Sequence, residues 1–532
     1  MIELAEEKVQ FFTKIIGSVA LAKPVVRKMG FAEMIDRLVP CDPQQKVSHG
    51  RVVEIMVANR LTSPTPLYEV EQWAEDIDSK KLYGIAPEEL NDDRLGRTLD
   101  ALAPGLMGLK GAIAREISKR FQIGMERIHW DLTSFHFTGA YDNQTEEHIK
   151  ISYTKTRPSD SAFKAVKVGL NVANDGKGPV PIFYEALDGN ADPFEATIKN
   201  MENLKEQLKV DRILRISDKG CFSAKIVAET VRQGFDLIAS MKLTAQYREL
   251  LEEAWQRGED FTLLDYLSQN QARKKDPSKQ DRYYGLEVEG SLPYGQKEYP
   301  MRFLFIRSDG KLKRDRKRRE KHVAKLEAEL AFLREKVGKP YYRETEKLRA
   351  KIAKLLKRFP EGGFVEIDLQ TSGGKAVSLN YTWDEAALRK EARWDGIYLV
   401  GTTLMEHPMG EVFGLFKEQH YSESANKDLK GPLRIRPIFL QNQARIEALI
   451  FILFLALMVY MLIERWYRNS VPDPKLRKTT TRTLLKVFRT YALTVVVSGD
   501  GIQEIPNALS RGQAAVFSVL GLNFSELYAG VP

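Results

Sequence analysis

Helical patterns of apolar residues dominate the first 120 residues. Ser48 can accept a hydrogen bond from the start of a helix over residues 51–61, and a Thr-Ser-Pro-Thr-Pro segment at 62–66 ends that helix. Asn91 precedes two aspartates at the start of another helix, where negative charge is favourable. The pattern predicts a helical N-terminal domain over residues 1–120.

After residue 125 the pattern changes to short apolar runs that are typical of strands. Runs at 128–135, 163–172 and 181–187 predict strands, followed by a helix over 194–208, a strand ending at Asp218, a helix over 223–233 and a strand over 235–241. Three adjacent strands followed by alternating helices and strands are typical of a mixed sheet flanked by helices. We therefore predict an α/β core whose first part is 121–244, with the strands of Asp131 and Asp218 side by side.

The stretch 245–395 does not continue this alternation of helices and strands. It contains strand-like runs such as 299–306, a basic segment at 311–321 and heptad-like helical sequence to about residue 358, interrupted at 338–340 by Gly-Lys-Pro. A further strand is predicted at 396–400. We interpret 245–395 as an insertion with strands and a basic helical hairpin, 396–470 as the second part of the core, and 471–532 as a C-terminal region.

Residues 448–463 are apolar and uncharged, between Glu447 and Glu464. Sixteen helical residues span about 24 Å, which is shorter than the hydrocarbon layer of about 30 Å. A core helix buried on all sides is therefore favoured over a membrane span. The N-terminal segment is acidic and lacks the basic start and apolar core of a signal peptide, so a cytoplasmic protein is expected.

Composition narrows the possible partners. The chain has 532 residues, and its 81 Lys and Arg residues against 72 Asp and Glu residues give a formal net charge of +9. Its length predicts three or more domains, and its basic balance suits a polyanionic partner. Because Cys41 and Cys221 are the only cysteines, neither a disulfide framework nor a cysteine-based zinc site is expected.

Three acidic residues occupy positions at which they could converge. Asp131 lies in a buried strand, Asp218 closes a second strand, and Glu423 falls in a predicted helix seven residues before Lys430. Acids at the ends of neighbouring strands and one from a helix can hold two hard cations for phosphoryl transfer. Glu411 and Glu418 compete with Glu423, but the spacing to Lys430, about two helical turns, favours Glu423.

Several short motifs accompany these acids. They are Val-Ser-His-Gly at 47–50, Asn-Asp-Asp-Arg-Leu-Gly at 91–96, Asp-Leu-Thr-Ser-Phe-His-Phe at 131–137, Gly-Asn-Ala-Asp at 189–192, Ser-Asp-Lys-Gly at 217–220 and Trp-Asp-Gly at 394–396. With Glu423 and Lys430, they resemble the motifs of DDE transposases of prokaryotic insertion sequences. The resemblance is to the subgroup with a final Tyr-x2-Arg-x3-Glu-x6-Lys motif. Phe416 and Gln419 stand where the tyrosine and arginine of that motif are expected.

The resemblance implies an RNase H-like catalytic domain that cleaves DNA at element ends and transfers the 3′-OH ends to target DNA. It implies that Asp131, Asp218 and Glu423 hold two Mg²⁺ or Mn²⁺ ions. The implied partners are double-stranded DNA, as terminal inverted repeats and target, and a second copy in the synaptic complex, with no membrane. The protein would be cytoplasmic, and nucleoid-associated when bound to DNA.

A set of basic and polar residues is expected to contact this DNA. They are Lys430, Gln419, Arg434, Arg436, Lys313, Arg314, Arg316, Lys317, Arg318 and Arg319. The last six belong to the basic segment at 311–321, which could instead be a solvated helix face. The departures at Phe416 and Gln419 put the contacts of those two positions in doubt but leave the three acids in place.

Two other classes of protein remain open from the sequence. An RNase H-like nuclease that cuts without joining would share the same metal ligands. A non-catalytic DNA-binding or coiled-coil scaffold protein would account for the charged helices at 315–358 but not for acids at the ends of core elements. His129, His136 and His420 are interpreted as core or surface residues, and Asp192 as a turn or helix-capping residue.

Overall fold

The chain folds into two compact units. The structure, a computed structural model, describes residues 9–154, 163–272, 274, 276, 279–433, 440–498, 501–523 and 527. One unit comprises residues 1–238 and 416–532, and the other comprises 239–415. The second unit is therefore inserted into the sequence of the first, and it contains the whole of the predicted insertion.

The first unit starts with a strand and a series of helices. They are β1 (Gln10–Ile15), α1 (Val19–Met29), α2 (Phe31–Leu38), α3 (His49–Thr62), α4 (Val70–Ile77), α5 (Ser79–Tyr83), α6 (Asp92–Leu102) and α7 (Leu106–Arg120). The predicted cap at Ser48 is confirmed, because its side chain accepts a hydrogen bond from the Arg51 amide. The predicted helix start after Asn91 is also confirmed, and there the Asn91 side chain accepts a hydrogen bond from the Arg94 amide. These helices lie in the same compact unit as the sheet that follows them.

A mixed sheet follows, with helices between its later strands. The elements are β2 (Arg127–Phe137), β3 (Ser152–Tyr153), β4 (Lys164–Ala173), β5 (Val180–Asp188), α8 (Pro193–Leu208), β6 (Leu214–Ser217), α9 (Ala224–Arg232) and β7 (Asp236–Met241). The strand order is β3-β4-β2-β6-β7, with β5 also paired to β4. β4 is antiparallel to β2 and β5, whereas β6 is parallel to β2. The α/β class and the mixed sheet are confirmed.

The second unit combines antiparallel strands with a long helical hairpin. Its elements are α10 (Ala245–Gln256), β8 (Thr262–Leu263), α11 (Gln269–Ala272), β9 (Tyr283–Tyr294), β10 (Lys297–Ser308), α12 (Asp309–Lys336), α13 (Thr345–Arg358), β11 (Val365–Ser372), β12 (Lys375–Trp383), α14 (Glu385–Ala392), β13 (Ile397–Thr402) and α15 (Met409–Lys417). β10 pairs with both β9 and β13. The α12–α13 hairpin shares a small apolar core with the β11–β12 hairpin.

The chain then completes the first unit. The remaining elements are α16 (His420–Lys430), α17 (Gln443–Ser470), α18 (Thr481–Phe488), β14 (Ala492–Ser498), β15 (Gly501–Pro506) and α19 (Arg511–Val519). β14 pairs with β1 on one side and β15 on the other. The two ends of the chain thus meet in one small antiparallel sheet.

Helix α17 lies in the core of the first unit. By length and composition it could cross a membrane, but 94% of its most apolar window is buried within the protein. It packs against α3, α6, α16, α18 and β5. Because it has neighbours around its circumference, an apolar surface on every side is stabilising. The prediction of a fully buried helix at 448–463 is confirmed.

Gly169 on β4 provides a test of the core packing around β2. The Trp130 side chain is fully buried, and a Cβ built on Gly169 would lie 2.0 Å from its ring. We expect Gly169→Ala to destabilise the protein by about 1–3 kcal/mol, since the buried ring must shift. Gly108→Ala is the control, because no atom lies within 4 Å of the new Cβ in α7. The control should stabilise by about 0.5–1 kcal/mol. Chemical denaturation measures both, and a stable Gly169→Ala variant would contradict the packing.

Candidate functional site

The sheet places two of the predicted acids at neighbouring positions. β2 and β6 run parallel, with Trp130 opposite Ser217 as the last pair in register. Asp131 and Asp218 each follow that pair by one residue. Asp131 is still within β2, whereas Asp218 begins a short turn in which its carbonyl accepts a hydrogen bond from the Cys221 amide. The prediction that the two strands lie side by side is confirmed.

Asp131 is the more enclosed of these two carboxylates. It is half-buried, whereas Asp218 is exposed. Nδ2 of Asn426, on α16, donates a hydrogen bond to Asp131 Oδ2 over 2.8 Å. Burial raises the pKa of Asp131 to about 6, and the charges of Asp218 and Glu423 act in the same direction. The Asn426 hydrogen bond opposes this rise because it stabilises the ionised carboxylate.

Glu423 and Lys430 lie on α16, which packs against β2 and β4. Both residues are exposed, and the Lys430 ammonium lies 5.9 Å from the centre of the Phe135 ring on β2. Glu423 is near enough to raise the pKa of Asp131 by its charge. The same helix therefore brings the third predicted acid and the predicted lysine to the Asp131 face of the sheet.

Glu418, which competed with Glu423 in the sequence, has other contacts. Its carboxylate accepts a hydrogen bond from Asn174 Nδ2 over 2.8 Å. It also lies 3.8 Å from Nε2 of the fully buried His129 and 3.9 Å from Arg127. These contacts connect the turn before α16 to β2 and to the end of β4. They favour a structural role for Glu418 and support the interpretation of His129 as a core residue.

Gln419 has a different environment from the one that a DNA contact requires. It is only 9% exposed, its Oε1 lies 3.3 Å from His129 Nδ1, and its Nε2 donates to the Trp130 carbonyl over 3.3 Å. Both ends of the amide are therefore engaged with β2. In this structure Gln419 positions α16 on the strand of Asp131, and it does not present a surface to DNA.

The other predicted DNA contacts fall in two places. Arg434 and Arg436 lie outside the described residues. The basic segment forms the first turns of α12 in the second unit, where Lys313, Arg314, Arg316 and Lys317 are exposed. The segment is thus helical, and most of its charge faces solvent.

Two arginines of this segment also form internal ion pairs. Arg319 bonds to Asp395, and Arg318 lies 3.1 Å from Asp315, which Lys311 also contacts. Asp315 and Asp395 are both buried, and Asp315 accepts a hydrogen bond from the Gly396 amide. The Arg319–Asp395 pair and the Gly396 hydrogen bond attach α12 to the turn before β13, whereas Arg318 and Lys311 pair with Asp315 within α12. Asp395 is therefore a buried ion-pair partner.

The donor atoms around Asp131 suit a hard divalent cation. The three predicted acids have the oxygen donors that such an ion takes, and Asn426 Oδ1 is buried with no hydrogen-bond partner among the described residues. In the part of the chain that the structure describes, no three Asp, Glu, His or Cys side chains are yet close enough to hold one ion. The oxygen donors fit Mg²⁺ or Mn²⁺, and the acidic side chains would have to move closer together to hold such an ion.

Sequence reasoning missed Asn426. Its signal was present, because Asn426 lies three residues after Glu423 and four before Lys430 on one helix. Residues at i, i+3 and i+7 share a helix face. The interpretation of Asp192 as a cap is confirmed, since its side chain accepts from the Phe194 and Glu195 amides at the start of α8.

Comparison with known protein families gives one match to part of the chain. Residues 12–109 match a family described as Domain of unknown function (DUF4277). The matched segment contains most of β1, α1 to α6 and the beginning of α7, and none of the three acids. No curated protein matches the chain.

The raised pKa of Asp131 has a consequence for stability. Its ordinary value is 3.8, so in the absence of metal the folded state binds this proton more tightly than the unfolded chain does. Ionising Asp131 therefore costs the folded state stability, progressively from about pH 4 to pH 6 and fully above that range. Asp131→Asn should stabilise the metal-free protein by about 1–3 kcal/mol at pH 7.5, and the gain should shrink towards pH 4.

Denaturant unfolding in chelator, repeated across this pH range, measures the gain. Asp142→Asn is the control, since its side chain is 78% exposed, and we expect a change of less than about 0.5 kcal/mol. An Asp131→Asn variant that is less stable than the parent at pH 7.5 would contradict the electrostatic account.

Proposed function

We propose that this protein is a DNA transposase of the DDE type. In this proposal it cleaves DNA at the ends of a mobile element and joins the 3′-OH ends to target DNA. The observation that carries the proposal is the register of β2 and β6, which puts Asp131 and Asp218 at adjacent positions on parallel strands. Helix α16 supplies Glu423 to the same face.

The strand order supports an RNase H-like core. If the two-residue β3 is left out, the five main strands in chain order are β2, β4, β5, β6 and β7. Their order across the sheet is β5-β4-β2-β6-β7, that is third, second, first, fourth and fifth in the chain. The first three are antiparallel neighbours and the fourth is parallel to the first. In this arrangement the first and fourth strands are neighbours, and they carry the two aspartates.

The three acids would hold two Mg²⁺ or Mn²⁺ ions. When bound, such a pair activates the attacking oxygen and stabilises the departing 3′-oxygen. Asp131, whose pKa is raised in part by the charges of both other acids, would be a ligand together with each of them. Lys430, on the exposed side of α16, is placed to pair with a DNA phosphate as a point charge. No covalent enzyme intermediate is needed.

The charge distribution supports a DNA partner. The chain carries a net charge of +9, and exposed Lys313, Arg314, Arg316 and Lys317 form a cationic surface on α12. Phosphate contacts of this kind carry affinity but no base information. We assign sequence-specific recognition of element ends to the N-terminal region 1–120, since a helix fits the major groove. Joining two ends requires a dimer in the synaptic complex. The protein would act in the cytoplasm, associated with the nucleoid when bound to DNA.

Acid substitutions test the catalytic assignment. Asp131→Asn, Asp218→Asn and Glu423→Gln should each lower the rate of Mg²⁺-dependent DNA cleavage by about a thousandfold or more, because each removes a ligand charge while keeping a side chain of similar size. Glu411→Gln, at an exposed glutamate of α15, is the control and should cleave normally. Strong residual cutting by Asp218→Asn, or full activity in excess chelator, would contradict the assignment.

The same assay separates the three classes of protein. The substrate is a duplex carrying the DNA that flanks the gene, with a supercoiled plasmid as target. Cut ends joined to the plasmid would support the transposase. Cutting without joining would identify a nuclease, and DNA binding without cutting would identify a scaffold protein.

A second experiment tests the cationic surface of α12. Replacing Lys313, Arg314, Arg316 and Lys317 by Gln should weaken binding to all DNA sequences equally. The slope of log affinity against log salt should fall by about one for each phosphate that the variant no longer neutralises. Arg319→Gln is the control, because it removes a positive charge from the same helix that pairs with the buried Asp395 carboxylate and does not belong to the exposed surface. It should cost about 3 kcal/mol of stability and leave the salt slope nearly unchanged.

Electrophoretic shifts over a salt series measure the slope. If the fourfold variant binds random DNA as tightly as the parent, with the same slope, the surface is only a solvated helix face.

A further inference from the structure

The side chain of Asn426 lies between α16 and β2 and is only 8% exposed. Its Nδ2 donates a hydrogen bond to Asp131 Oδ2 over 2.8 Å. Its Oδ1 is fully enclosed and has no hydrogen-bond partner among the described residues. One amide therefore has its donor engaged and its acceptor unused, next to a predicted metal ligand.

An unused buried acceptor is costly. Leaving such a group without a partner destabilises the folded state, and native proteins seldom tolerate it without a reason. Rotating the amide would bring Oδ1 against the Asp131 carboxylate, where two acceptors would repel each other. The orientation with Nδ2 on Asp131 is thus the favourable one, and it leaves Oδ1 directed away from that carboxylate oxygen.

Asn426 lies on the same helix as one of the predicted acids. Asn426 follows Glu423 by three residues and precedes Lys430 by four, so all three share one face of the helix. Asn426 is the buried member of this face, where α16 packs against β2 and β4, whereas Glu423 and Lys430 are exposed. A neutral oxygen at this place has the same preference for hard divalent cations as the neighbouring carboxylates.

We propose that Asn426 is a further member of the cation site, which rests on the proposed function. Its Nδ2 holds one oxygen of Asp131 and so orients the other for a cation. Its Oδ1 supplies a neutral oxygen to that cation, either directly or through one of its waters. A neutral ligand adds coordination without adding to the repulsion among Asp131, Asp218 and Glu423. In this role Asn426 is a positioning residue for Asp131 as well as an oxygen donor.

Two substitutions separate the donor from the acceptor. Asn426→Leu keeps the approximate shape of the side chain and removes both polar atoms. Asn426→Asp keeps an oxygen and removes the donor. Asn203→Leu is the matched control, because Asn203 Nδ2 also donates to a carboxylate, that of Glu185, over 2.8 Å and lies on α8.

The measurement is the Mn²⁺ dissociation constant of the full-length chain by calorimetry, with circular dichroism to check folding. We expect Asn426→Leu to weaken Mn²⁺ binding about 10–100-fold. Asn426→Asp should bind Mn²⁺ at least as tightly as the parent, and Asn203→Leu should bind it normally. In cleavage assays, excess Mn²⁺ should restore much of the activity of Asn426→Leu, since the three acids are intact.

The outcomes distinguish this inference from the proposed function. Parent protein that binds no Mn²⁺ would overturn both. Parent-like Mn²⁺ affinity in Asn426→Leu, with weakened binding in Asp218→Asn, would overturn only the role of Asn426. If Asn426→Leu fails to fold, Asn426→Ala, which also removes both polar atoms, decides: parent-like Mn²⁺ affinity in that folded variant would exclude the role of Asn426.

Discussion

The burial of helix α17 is the constraint on which the first unit depends. A run of sixteen uncharged residues at 448–463 cannot face water on any side without a large cost, since each fully buried Leu, Ile or Phe side chain contributes about 1.5–3 kcal/mol. Helix α17 is buried by packing against the helices of residues 19–120, strand β5 and the C-terminal helices. One hydrophobic core therefore joins segments that are hundreds of residues apart, and it explains why the N-terminal helices and the sheet belong to one compact unit.

On this framework the candidate site holds charges that oppose folding. Asp131 is half-buried and feels the charges of Asp218 and Glu423, which raises its pKa. A site made for packing alone would not bring three carboxylates to one face of a sheet. The arrangement is typical of functional sites, where stability is lost so that a ligand can later compensate for the repulsion. The hydrogen bond from Asn426 partly offsets this repulsion because it stabilises the ionised Asp131 carboxylate, and Gln419 bonds the start of α16 to β2.

The basic residues at the start of α12 fall into two groups: some form ion pairs within the protein, and others face solvent. Arg319, which is mostly buried, pairs with the buried Asp395 and so contributes to the packing of the second unit. Other cations of the same helix face solvent, and only the proposed function assigns them to DNA. Whether a given arginine belongs to one group or the other depends on its position around the helix axis relative to β13. That position follows from packing and is not visible in the count of basic residues.

Much of this protein was readable from local sequence, because local interactions determine it. Helix caps at Ser48 and Asn91, the strand of Asp131, the apolar helix at 448–463 and the helical hairpin of the insertion follow from side chains within a few residues of one another. Local patterns could not place Gln419 inside the core, pair Asp395 with Arg319, or bring Asn426 to Asp131 across 295 positions. Those contacts depend on how α16 lies on β2 and how α12 lies beside β13. Such placements are decided by the packing of whole elements around a shared core, and an isolated segment contains no information about the partner it will meet.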